Sequence, residues 1–207
     1  MIVQLVGALV AAAYGAATTI TKRVPLFYRI IFFALATYLT GCAYTVLYEL
    51  LWQPAEAGFH VGYLGTMGMF FFLFSSYYGA MDSLVDGGQA ELRKYRLAAL
   101  AAALVFFAGA LALTLWLDRG LWLVLVVTPM AATLYFAVKH LIIPDVEDGI
   151  IRVMRSYNAI VAALCLCMAA SLLVPDGPFG MAFDACVGVL LAACLPVARA
   201  GVCKWFI

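Results

Sequence analysis

Charge is what this sequence has least of. Only 11% of its 207 residues are Asp, Glu, Lys or Arg, and the net charge is +1. Nucleic acid is held by clustered excess cations, so this balance implies no nucleic-acid partner. Histidine is nearly missing as well, with His60 and His140 the only two. There is no HExxH, no pair of histidines for a haem, and no spacing of histidines and acids suited to an intramembrane metallohydrolase. GxSxG is absent. No lysine falls in the last apolar run, where a retinal-binding pump would carry one; Lys204 lies beyond it. The turn DGGQ at 86–89 lacks the lysine and the strand–helix context of a phosphate loop. No cofactor and no enzyme chemistry is expected. Cysteine is present six times but never as CxxC. Cys165 and Cys167 would point to different sides of a helix, and all six read as small apolar residues.

What is present in excess is apolar surface. Hydrophobic residues make up 67% of the chain, far more than a soluble domain can bury. A membrane span takes roughly 20 apolar residues. Seven stretches qualify, at about 2–21, 27–52, 61–82, 96–117, 121–143, 150–174 and 179–198. Between them stand KRVP, QPAEAG, DGGQAELRKYR, DRG, PDVEDG and PDGP, where Pro and Gly break helices and most of the charge collects. The expected fold is an all-α integral membrane protein, one seven-helix transmembrane bundle over residues 1–207, with the lipid bilayer as its first partner. No Lys or Arg precedes the first run, so span 1 is read as a retained helix and not as a secretory signal.

Orientation follows from the cations. Lys22, Arg23, Arg29, Arg93, Lys94, Arg96, Lys139, Arg152, Arg155, Arg199 and Lys204 fall on one side, which is 11 of the 12; only Arg119 falls on the other. The positive-inside rule then places the N-terminus outside and the C-terminus in the cytoplasm. Trp52, Trp116 and Trp122 would anchor the outer interface, and Tyr28, Tyr95 and Trp205 the inner one.

Two groups of polar residues stand out. In span 3, GTMGMFFFLFSSYYGAMD carries Gly65, Gly68, Phe72, Ser75, Gly79 and Asp82 on one helical face. The glycines read as packing contacts. Asp82 at the inner end wants a partner. Span 6 starts on the same side with Arg155, Asn158, Ala162 and Cys165 along one face, and an Asp82–Arg155 latch at the inner mouth is expected, with Ser75 and Asn158 beside it. The bland alternative is that both charges reach water separately. On the outer side, Tyr48 and Glu49 end span 2, His60 and Tyr63 open span 3, and Asp184 sits early in span 7. Asp184 is read either as a membrane-embedded acid or as a helix cap. Together these five would line an outer pocket for a small polar or cationic ligand.

Internal repeats are weak: Pro129 and Pro196 have no mates in spans 1–3, and the Pro-Gln pair of small sugar and amino-acid carriers is absent. The passage LYELLWQPAEAGFHVGYLGTMGMFFFLFSSYYG followed by RKYRLAALAAAL resembles the seven-helix input domains of bacterial sensor histidine kinases and diguanylate cyclases. That resemblance covers about a third of the chain. It implies a sensor in a bacterial cytoplasmic membrane, with the same topology as derived above. No kinase or cyclase follows WFI, so the expectation is a stand-alone sensor or partner subunit signalling to a separate cytoplasmic output protein. A small transporter of polar or cationic solutes is the alternative, and a structural subunit or membrane enzyme the third.

Overall fold

Inside a bilayer each backbone N–H and C=O must find its partner within the protein, and the helix does this within one segment. The computed structural model describes residues 1–21, 23–52, 58–144, 150–174 and 177–205, and among these the regular elements are all helical. They are α1 (Ile2–Thr21), α2 (Leu26–Trp52), α3 (Gly62–Ser76), a π turn (Tyr77–Met81), α4 (Asp82–Val85), a 3-10 turn (Ala90–Leu92), α5 (Arg93–Trp116), α6 (Leu123–Ile142), α7 (Ile150–Leu173) and α8 (Pro178–Trp205). Six of them are long and apolar enough to cross a membrane: α1, α2, α5 (counted from Ala90), α6, α7 and α8. The expected Lys22 lies outside the described residues, as do the side chains of Trp52, Lys204 and Trp205.

The third span is where the structure departs from the sequence reading. α3 has 15 residues and then gives way to the π turn. There the Asp82 N–H bonds to the Tyr77 carbonyl, five residues back instead of four. Such a turn holds one extra residue and rotates everything after it. Past it, Met81 and Val85 are buried.

The helices close a ring. Going round it, α1 packs on α2, α2 on α3, α3 on α6, α6 on α7, α7 on α8, and α8 back on α1. α5 stays outside, against α6 and the edge of α7. α1 and α8 run parallel: Gly7 lies against Gly188 near their starts, and Arg199 donates to the Tyr14 hydroxyl near their ends. Small residues allow the close crossings. A Cβ on Gly65 would stand 2.6 Å from Gly41 Cα, and one on Gly68 2.6 Å from Thr37 Cγ2. These two expected packing glycines therefore pack α3 on α2. Gly79 does not pack: a Cβ there meets nothing within 4 Å. Phe72 and Ser75 are also exposed, so the inner half of the expected small-residue face looks outward.

The centre of the ring is an apolar plug. Leu35, Met69, Phe70, Leu73, Met130, Val161 and Leu164 are all fully buried there. Pro129 has no N–H to give within α6. One turn on, Thr133 Oγ1 lies 2.8 Å from the Pro129 carbonyl and 3.0 Å from that of Phe70, tying α6 to α3. Polar groups collect above and below this plug.

Candidate functional site: a polar pocket and a buried charge network

The starts of α1, α3 and α8 meet the ends of α2, α5 and α7 around a cavity of about 370 Å³. Its floor is a chain of hydrogen bonds around Asp184. Oδ1 accepts from Gln4 Nε2 at 2.8 Å and from Ser171 Oγ at 2.5 Å, and Oδ2 accepts from the Met1 ammonium at 2.6 Å. Gln4 Oε1 in turn accepts from the buried Tyr38 hydroxyl at 2.6 Å. Asp184 sits in the second turn of α8, so it is a pocket acid inside a helix and not a cap. An acid at such a position is tolerated because three donors meet it.

The side wall is aromatic. His60 lies 4.1 Å from the Tyr63 ring, and Tyr63 lies 4.3 Å from Trp122. Partial burial pushes the His60 imidazole below its usual range, and the charge of Glu49 offsets part of that. Glu49 and Arg119 complete the lining. Arg119 is placed by the end of α5. Asp118 takes the left-handed conformation (φ 51°), the Arg119 N–H bonds to the Thr114 carbonyl at 2.9 Å, and the Asp118 N–H to that of Leu115 at 3.4 Å. This is the Schellman arrangement, which ends a helix and turns the next residue aside.

Four of the five residues expected at the outer pocket, Glu49, His60, Tyr63 and Asp184, line this one cavity. Tyr48 is not in the lining; it stacks on His60, with ring centroids 6.3 Å apart. Sequence reasoning missed Gln4, Tyr38, Ser171 and Arg119. Gln4 carried a legible signal, being the one polar side chain in the apolar run from Ile2 to Ala13.

At the other end of the bundle the expected latch is replaced by a larger network. Asp82 pairs with Lys139 and, at 3.2 Å, with His140 Nε2. Lys139 Nζ also lies 3.1 Å from Asp86 Oδ2, and Arg96 Nε lies 3.4 Å from the same oxygen. The Gly88 N–H, in a turn whose glycine has φ 82°, donates to Asp86 Oδ1. Lys139 and His140 occupy the last turn of α6, where cations also suit the helix dipole. Arg155 is exposed and does not pair with Asp82. The reason is the ring order: α6 lies between α3 and α7, and the π turn aims Asp82 at α6. Asn158 is fully buried and accepts from the Tyr77 hydroxyl at 2.9 Å, whereas Ser75 takes no part.

Among the described residues no three His, Cys, Asp or Glu side chains are placed to hold a metal ion, and all six cysteines are free. No protein-family model, no curated protein and no solved structure matches the chain.

Proposed function

We propose that the protein is a seven-helix membrane sensor or partner subunit that binds a small ligand bearing an ammonium group in the outer pocket. The observation that carries this reading is the gathering of two carboxylates, Glu49 and Asp184, with Tyr38, Tyr63 and His60 around one cavity. Aromatic faces and carboxylates together suit a small organic cation. The ammonium already seated on Asp184 is an example of the donor class that this acid accepts. The seventh pass is α3 continued through the π turn and α4. Parallel packing of α1 and α8 supports an odd number of passes, since an even number would set the first and last helices antiparallel. The basic asymmetry supports an outer N-terminus and a cytoplasmic C-terminus. The resemblance to bacterial sensor input domains supports a bacterial cytoplasmic membrane and an output protein on that side.

A transporter is the second reading, and the interrupted third helix favours it, because solute sites in transporters form where membrane helices break. Purified protein in lipid nanodiscs is titrated with ethylamine and other small amines, and the same compounds are tested for flux into liposomes. Saturable binding without flux is expected. Flux favours the transporter, and no binding by any amine-bearing compound overturns the ligand assignment.

A further inference from the structure

We propose that the ligand of the outer pocket is a small zwitterion, with its ammonium received by Glu49 and its carboxylate by Arg119. This rests on the amine-binding reading above and narrows it. Four charged groups line the cavity: the Met1 ammonium, Arg119, Glu49 and Asp184. Met1 and Asp184 are already paired with each other, and Asp184 is further satisfied by Gln4 and Ser171. Glu49 and Arg119 are not paired, either with one another or with any other described residue. Both line the same cavity as Tyr63. Opposite charges that border one cavity without touching leave a gap of complementary ends.

Charge balance points the same way. The four lining charges sum to zero. A bare amine would leave the site with one uncompensated positive charge, and a bare carboxylate with one negative. A zwitterion adds none, and each of its ends meets an unpaired group. The guanidinium offers a planar fork that fits a carboxylate with two parallel hydrogen bonds. Arg119 is held for this by the Schellman turn after α5, and the Tyr63–His60 wall supplies the apolar face for the carbon chain between the two ends.

The test uses the full chain in nanodiscs, with glycine, β-alanine and 4-aminobutyrate as zwitterions of increasing charge separation, and ethylamine and acetate as single-charge controls. At least one zwitterion should bind saturably and at least tenfold tighter than either control. Arg119→Gln should remove that advantage, and Arg119→Lys should restore part of it. Equal binding of ethylamine and the zwitterions, unchanged in Arg119→Gln, overturns the zwitterion and leaves the amine reading standing. Acetate binding as tightly as the zwitterions also overturns it. If no probe binds, both readings fall. Arg119 is partly buried in a loop and makes no ion pair with the described residues, so its replacement leaves the fold intact; unfolding by circular dichroism checks this directly.

Discussion

Lys139 and Asp86 face each other at 3.1 Å with only 2% and 4% of their side chains exposed. Both charges are taken out of water, so each depends on its partners in the network, Asp82 beside Lys139 and Arg96 beside Asp86. Removing one partner of such a pair costs more than the pair ever contributes. Lys139→Met should therefore lower stability by up to about 3–5 kcal/mol, since it removes the cation shared by Asp82 and Asp86 and leaves Asp86 with Arg96 alone as its ion-pair partner. Arg155→Gln, at an exposed position, should change it by less than about 0.5 kcal/mol. Thermal unfolding of both variants in detergent tests the ring order, and the reverse ranking would restore the Asp82–Arg155 latch.

The two kinds of glycine in the third helix should separate cleanly. Gly65→Val drives a side chain into the α2 backbone and should cost at least about 1–3 kcal/mol. Gly79→Ala has open space and should be neutral or gain up to about 1 kcal/mol, as alanine lowers the entropy of the unfolded chain. A loss in both would mean that the inner half of the helix is packed after all.

Replacing Glu49 by Gln keeps its shape and removes the charge that receives the ligand's ammonium. The position is exposed, so the fold should survive. Affinity for amine-bearing ligands should fall by roughly tenfold or more, as for a charge-assisted bond lost. Equal binding in Glu49→Gln and the parent chain would place the ammonium elsewhere.

His60 gives the pocket a pH dependence whose sign is fixed. Burial lowers its folded pKa below the ordinary value of about 6.5. The folded state then binds fewer protons than the unfolded one. The stabilisation from neutral His60 is complete above the unfolded pKa and is lost as pH falls through the folded value. Unfolding temperatures should drop more between pH 7 and pH 5 in the parent chain than in His60→Gln. Identical slopes would mean that His60 titrates as if free.

Orientation is open to a direct check. A reporter active only in the cytoplasm should be on when fused after Ile207 and off when fused after Gln53. The opposite result would exchange the two ends of the bundle and move the pocket to the cytoplasmic side.

The helix bounds were legible because Pro, Gly and charge punctuate every connection. Ile2–Thr21 and Ile150–Leu173 fall within a residue of the expected stretches. α8 runs on past the expected end at 198 to Trp205, since Pro196 sits inside the helix without ending it. The pocket was partly legible, because an acid or histidine in apolar sequence has few innocent explanations. The π turn was not: a 3.6-residue period has no means of announcing one extra residue. Once that residue is inserted, every inner-end partner changes. Lys139 and His140 escaped notice for a second reason. At the end of a span, Lys and His look like ordinary interfacial anchors, and only the fold reveals them as buried.

The parallel seam between α1 and α8 has a consequence for biogenesis. The two elements are separated by nearly the whole polypeptide, yet Met1 and Gln4 reach Asp184 only when both are in place. During synthesis α1 enters the membrane early and must wait with its polar Gln4 side chain facing lipid or transient neighbours. The ring shuts when α8 arrives, and the floor of the pocket is assembled at that step. The cavity is thus complete only once α8 is inserted, and a chain arrested before α8 would lack its floor.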